Sequence, residues 1–383
     1  MNKNTIIGII VLIVVIIGGY FLLNKTPVEK ETVRIGGTLA LSGNYAYLGE
    51  AQANGLKMAI EEINASGGIR GKKLELITED NQGDAKQAVT NVSKLLNVDK
   101  ADIILSAFTH ITNAIKDIVN QSGKVMIYTS TVRDIAESSP LFFRDYYDAK
   151  DNGIALAKLI EDAGYKNIAF LTEFSDQCLQ LEDSFKKQSK EYGINIIKKE
   201  SFNTTETDLK THLLKIKEVN PEAILVCAWR HEYILMKQLK ELGMIKVQTF
   251  HWVAPFLPVA DTKDMRSLFE ENNTISTWYW LAETDYNSKQ KEFFQKYQER
   301  YGVKPTGESA YAYDDMYILA DALTKCDKKK QIKESECVAE QLLNTDYDGI
   351  AGRLTFTNQG VSNREINAIT VKDGLWIGVP INK

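Results

Sequence analysis

Val33 to Asn81 constrains the fold more than any other stretch of this chain, because its periodicity changes twice. Val33, Ile35, Gly37 and Leu39 alternate with smaller or polar residues, the pattern of a strand. Ser42-Gly43-Asn44 is turn material. Leu56, Ile60 and Ile63 then recur at helical spacing, with Glu61 and Glu62 on other faces. Ser66-Gly67-Gly68 stops the helix, since glycine accepts the left-handed conformation at a helix end. Leu74, Leu76 and Thr78 open a second strand. Strand, helix, strand in this length is a βαβ unit, with parallel strands under a right-handed crossover.

The alternation continues. Asp84 to Leu96 reads as a helix with Ala85, Ala88, Val92, Leu95 and Leu96 on its apolar face. Asp102 to Leu105 is a short buried strand ending in Ser106-Ala107-Phe108-Thr109-His110, and a helix starts near Ile111. Val125 to Tyr128 is the next strand, ending in Thr129-Ser130-Thr131. A second run of strands and helices follows from Asn152 to Trp252, with strands at 167–171, 194–197, 223–227 and 247–252. Ser288 to Tyr301 and Glu308 to Thr324 are helical, and the tail holds strands at 353–356, 366–371 and 375–379. The fold class is α/β.

The first 31 residues are of a different material. Thr5 to Leu23 carries no charge and as a helix spans roughly 28 Å, close to a bilayer core. No A-x-A-like cleavage site and no lipid-accepting cysteine is present there, so an uncleaved transmembrane anchor is favoured over a signal peptide. The remaining length suits two or three domains. A net charge of −5 argues against a nucleic-acid partner, which selects for a basic surface.

Enzyme motifs are incomplete. Gly307-Glu308-Ser309-Ala310-Tyr311 lacks the last glycine of a nucleophile elbow, and His231-Glu232 lacks the second histidine of a zinc helix. No phosphate loop or dinucleotide fingerprint occurs, and no cofactor is called for. Of the four cysteines, Cys227 sits in an apolar strand and reads as a core filler, and Cys178 as inert. Cys326 and Cys337 flank a charged loop, either as a disulfide of an oxidising compartment or as unrelated thiols.

The order SG, short loop, G, long helix ending AIEEIN, then GGIRGKKLEL resembles the opening of the type I periplasmic binding proteins. Within them, the chain is similar to the Leu/Ile/Val-binding (branched-chain amino acid receptor) family of ABC transporters, from Val33 nearly to the C-terminus. The resemblance implies two Rossmann-like α/β lobes joined by a three-crossing hinge. The crossings fall at 142–148, at Thr274 to Trp280 and near Gly352. Lobe one would hold 33–146 plus 281–350, and lobe two 147–280 plus 351–383. Residues 1–31 would form the membrane segment and linker, with the binding domain extracytoplasmic. The resemblance also implies a bridge between Cys326 and Cys337, and an ABC permease as partner.

Family members hold a ligand carboxylate in lobe one, at a helix start and after the next strand. The matching positions are Thr109, His110, Ser130 and Thr131. Hydroxyls and a helix N-terminus suit an anion, although Thr109 can equally act as a helix cap. Lobe two would supply Asp176, Trp229, Arg230 and Trp252. The family's usual acid after the last of these strands is missing, for the chain reads His251-Trp252-Val253-Ala254-Pro255. Asp176 or Glu173 are the substitutes within reach. The expected function is binding of an amino acid or related small carboxylate, aromatic ones included, in an interlobe cleft. The alternative is a membrane-tethered sensor of the same fold that signals through a partner; catalysis is disfavoured.

Overall fold

The computed structural model describes residues 32–253, 261–278, 285–326 and 333–381. The first sheet has five strands: β1 (Thr32–Leu39), β2 (Lys73–Asp80), β3 (Ile103–Ala107), β4 (Val125–Thr129) and β5 (Phe142–Arg144), in the order β2-β1-β3-β4-β5. All its pairings are parallel. Helices α1 (Ala46–Ala65), α2 (Ala85–Asn97) and α3 (Thr109–Ser122) make the crossovers. β3 and β4 are buried along their whole length, as strands covered on both faces must be.

The chain then builds a second, seven-stranded sheet. Helix α4 (Ala149–Asp162) precedes β6 (Asn167–Glu173), and α5 (Asp176–Glu191), β7 (Asn195–Phe202), α6 (Lys210–Glu218) and β8 (Ala223–Cys227) follow. After them come α7 (Glu232–Glu241), β9 (Gln248–His251), α8 (Lys263–Asn272) and β10 (Ile275–Trp278). The chain returns to this sheet only at its end, with β14 (Asn367–Lys372) and β15 (Leu375–Val379). The order β15-β14-β10-β9-β8-β6-β7 is parallel except at β14 and β15. Between β10 and β14 lie α9 (Ser288–Tyr301), α10 (Gly307–Lys325), α11 (Glu334–Leu343), and a small sheet of β11 (Asp346–Gly349), β12 (Gly352–Phe356) and β13 (Ser362–Asn363).

Helix α10 packs along α1. Gly55 makes this possible, since a Cβ there would stand 2.2 Å from the Ser309 carbonyl oxygen. The close approach brings the start of α10, and with it Glu308, to the first sheet.

Two expectations need correction. Cys178 and Cys227 are not separate thiols: they form a disulfide, with Cα atoms 5.8 Å apart. Periodicity could not show this, because a half-cystine in a buried strand has the same apolar neighbours as a packing residue. Cys326 and Cys337 are also bonded. Second, Ile275–Trp278 is a strand of the second sheet rather than a connection out of it, pairing with β9 and β14. The strand expected at Arg353 to Phe356 is present, and it pairs with β11 in the small sheet. The anchor assigned to Thr5–Leu23 lies outside the described residues; among those described, no helix is long and apolar enough to cross a membrane.

Buried charges hold the segments between the sheets. Arg364 grips Asp145 with two bonds of 2.8 and 2.6 Å and reaches Asp314 at 3.4 Å. Asp314 also accepts from the Ile350 and Ala351 backbone at 2.8 and 2.9 Å. Arg364 and Asp314 are pushed in ways that do not match. Burial opposes the Arg364 charge, yet its two carboxylate partners hold it above its ordinary range. Burial dominates at Asp314 and pushes it up to about 6. The distances explain the difference, since Asp145 takes the close bidentate contact and Asp314 the longer one.

A carboxyl that binds its proton more tightly in the fold adds stability below its unfolded pKa of about 3.9 and loses it as pH rises through the folded value. The stability of the wild type minus that of Asp314→Asn should therefore fall by on the order of 3 kcal/mol between about pH 4 and pH 7. Urea denaturation across that range measures it, and a flat difference would contradict the assignment.

Candidate ligand-binding site

Both sheets carry the 2-1-3-4-5 strand order, so each has a switch point beside its first strand: β1/β3 in one and β6/β8 in the other. Ligands of open α/β sheets bind outside the carboxyl ends of the strands at such points. A cavity of about 160 Å³ lies there. An apolar cavity of roughly 150 Å³ admits benzene, so this one suits a single small guest.

The first sheet's side contributes Tyr45 and Leu48 after β1, Phe108, Thr109 and His110 after β3, and Thr129, Ser130 and Thr131 at the end of β4. Parallel pairing aligns Ala107 with Thr129, which sets the two hydroxyl segments side by side. Thr109 Oγ1 lies 2.7 Å from Ser130 Oγ, and the Val132 amide donates to Ser130 Oγ at 3.2 Å. His110 Nε2 is 3.1 Å from the Gly83 carbonyl, which fixes its ring at the rim. The second sheet's side contributes Gln177 from the first turn of α5, Trp229 after β8 and Trp252 after β9.

Two expected residues stand elsewhere. Asp176 is exposed and does not line the cavity; its neighbour Gln177 does, because adjacent helix positions point about 100° apart. Arg230 is also exposed. It lies over the mouth, 5.6 Å from the Tyr47 ring and 5.0 Å from the Trp229 ring, and donates to the Asn44 carbonyl at 3.4 Å. Glu173, the other substitute acid, is buried beneath Trp229 and accepts its backbone N–H at 3.0 Å. Burial pushes Glu173 up, and pushes Glu232 in the same bed up to about 7. His251 points away from the cavity, against Thr249, and burial pushes it down to about 3.

Several lining residues carried no sequence signal. Glu308, 162 positions from its partner, accepts from the Tyr146 hydroxyl at 2.9 Å. Gln52 on α1 donates to Thr129 Oγ1 at 2.7 Å. Helical periodicity ranks both as polar positions on otherwise apolar helices and cannot say that both reach one cavity. Burial, and next the Glu308 charge, hold the Tyr47 and Tyr147 phenols protonated. Tyr45 stacks on Trp229 across the mouth, with centroids 5.9 Å apart and planes within 11°.

The backbone is strained where the walls meet the cavity. Phe108, Arg230 and Val253 have φ of 66°, 70° and 49°, and each follows a strand end at the site. Such conformations in bulky residues persist only where surrounding packing over-determines them, and they cluster at ligand sites.

Against known proteins, the sequence profile of a family described as "Periplasmic binding protein" matches residues 32–374. The Leu/Ile/Val-binding protein homolog 7 of Brucella melitensis is 23% identical over 325 residues, covering 76% of this chain and 77% of that protein. Among solved structures, the fold is similar to the branched-chain amino acid transporter substrate-binding protein LivJ of Streptococcus pneumoniae in complex with isoleucine. That match has a TM-score of 0.76 and 22% identity, covering 91% of this chain and 99% of the other. It is equally similar to a solute-binding protein of an ABC transporter from Rhodopseudomonas palustris in complex with 3,4-dihydroxybenzoic acid, with a TM-score of 0.76, 19% identity, and 91% and 97% coverage.

The Cys178–Cys227 bridge joins the residue after Gln177 to a strand end two positions before Trp229, and so ties together two parts of one cavity wall. It closes a separation of 49 residues, against 11 for Cys326–Cys337. Loop-closure entropy then predicts a loss of about 4 kcal/mol for Cys178→Ala/Cys227→Ala and about 3 kcal/mol for Cys326→Ala/Cys337→Ala. Denaturant titration of the two double variants compares them, and a larger loss for the second pair would reverse the expectation.

Proposed function

The chain belongs to the periplasmic binding protein family, and from that premise we propose that it is an extracytoplasmic solute-binding protein of an ABC transporter. It takes an amino acid or related small carboxylate into the cavity between two lobes, at 33–146 plus 281–350 and 147–280 plus 351–383, and closes about the hinge between them. It delivers the solute to a membrane permease, and the apolar Thr5–Leu23 segment tethers it to the membrane.

One observation carries this reading: a small cavity walled at once by the strand ends of both sheets. A guest that touches both walls stabilises the closed arrangement by its contacts there, which is the thermodynamic requirement for ligand-driven closure. The hydroxyls of Thr109, Ser130 and Thr131 line one wall and suit a carboxylate, for which oriented neutral donors replace water. Trp229 and Trp252 on the other wall cover an apolar side chain. The relatives' names support the solute class, as amino acids and aromatic acids are what the compared proteins are described as binding.

Titration of the full-length protein with branched-chain amino acids and aromatic carboxylates should change its tryptophan fluorescence. Trp229→Ala should weaken the best binder by about tenfold or more, the scale of a buried aromatic anchor. Unchanged affinity in that variant would remove Trp229 from the site.

A further inference from the structure

We infer that Glu173 and Glu232, buried behind the cavity wall, position Trp229 and Arg230 for the guest and make guest capture weaken as pH rises through neutrality. This rests on the solute-binding reading above and adds a means of control to it.

The turn that carries Trp229 and Arg230 leaves the sheet after β8 and enters α7, with Arg230 at a φ of 70°. Side chains hold its backbone. Glu173 Oε2, at the end of β6, accepts the Trp229 N–H at 3.0 Å, and Glu232 Oε1 accepts the Arg230 N–H at 3.3 Å. His231 Nδ1 donates to the Trp229 carbonyl at 2.8 Å and lies 3.7 Å from Glu173 Oε2. Its ring meets the Phe202 ring edge-on at 5.0 Å. Glu173, His231 and Glu232 are all buried. Buried polar groups satisfied in this way fix the turn in one arrangement, and that arrangement presents the Trp229 ring to the cavity.

Two carboxylates in one bed make the arrangement titratable. His231 and the Ser175 hydroxyl face Glu173, while Arg230 and, from α1 on the opposite wall, the Tyr47 phenol face Glu232. Burial pushes Glu232 up to about 7, with the Glu173 charge adding to it and the backbone N–H bonds and Arg230 opposing. Part of that burial comes from across the mouth. Tyr45 stacks on Trp229 at 5.9 Å, and the Tyr47 ring lies 5.6 Å from the Arg230 guanidinium. Opening of the lobes withdraws both tyrosines and lets water reach the turn, which returns Glu232 towards the ordinary carboxylate range. A carboxyl whose pKa is higher in the closed form takes up a proton on closure. It favours closure below the higher value, and the gain is lost as pH rises through it. The protonated carboxyl keeps a carbonyl oxygen for the Arg230 N–H, so the turn holds its shape in the acid form. Above neutrality two anions share the bed and repel, and the seat of Trp229 is weakened.

Full-length protein stripped of bound solute is titrated by calorimetry with leucine, phenylalanine and benzoate, between about pH 6 and pH 8 and in buffers of different ionisation enthalpy. Affinity for whichever probe binds should fall about threefold or more across that range, and binding near neutrality should take up a fraction of a proton. Glu232→Gln keeps an acceptor for the Arg230 N–H and cannot ionise, so its affinity should stay constant over the same range. A wild-type affinity that is flat or rises with pH, binding without proton uptake, or a fall that survives in Glu232→Gln would overturn the inference and leave the solute-binding reading intact. Binding of none of the probes at any pH would remove both. The wild-type proton uptake decides the matter even where the variant fails to fold.

Discussion

Arg144 is the constraint on which the site depends. Its side chain is wholly buried, and its Nη1 donates to the carbonyls of Ser130, Tyr146 and Tyr147 at 2.8, 3.0 and 3.1 Å. Those three residues all line the cavity. Its Nη2 lies 3.2 Å from Asp148, which caps α4 and also binds Arg133. One guanidinium therefore fixes the end of β4, the exit of the chain from the first sheet and the entry to the second. Burial pulls Arg144 below its ordinary range, while Arg133 and Arg144 hold Asp148 down despite its burial. A buried pair of this kind adds little net stability against an apolar equivalent, but breaking it leaves a stranded charge at about 3–5 kcal/mol. Its value here is geometric: one buried, rigid guanidinium sets where the three carbonyls and Asp148 can lie.

The Arg364 cluster repeats the device where the chain returns. Arg364 joins Asp145, next to Arg144, to Asp314 on α10 and to the Gly352 carbonyl, and it stacks 4.6 Å from the Tyr311 ring. Segments far apart in sequence are thus tied at one buried locus. Charges suit this position better than apolar groups would. Apolar packing is non-directional and tolerates sliding, whereas paired charges lose their partners when displaced.

Much of the frame could be read from periodicity. Val33 to Asn81 shows its βαβ unit because each element has its own apolar spacing, and Thr109 and Ser130 could be placed together because parallel strands end at the same edge. The rest was hidden for identifiable reasons. Glu308 and Gln52 reach one cavity through the packing of α10 on α1, which local pattern does not encode. Cys178 and Cys227 meet because a helix crosses a strand end. β10 has four residues, too few for its alternation to separate it from a connector. Asp176 failed by a single helical step, which turns a side chain from the cavity to solvent. The three left-handed residues at the cavity could not be anticipated either, since phenylalanine, arginine and valine ordinarily avoid that conformation.

The mouth of the cavity shows how finely closure is set. Among the described residues, the Tyr45–Trp229 stack and the Arg230 contacts with Asn44 and Tyr47 span it. An aromatic pair contributes about 0.5–1.5 kcal/mol, and an exposed cation–π contact about 0.5–1. Such contacts are comparable to the side-chain entropy lost in making them. In the proposed reading the guest must supply the remainder of the closing stabilisation, and it can do so only through atoms touched from both sides. A carboxylate held among the hydroxyls of Thr109, Ser130 and Thr131 would dock to the open form with those polar contacts made. Closure would then add Trp229, Trp252 and Gln177, so selectivity for the side chain would be exercised at the closing step, after the carboxylate has been recognised.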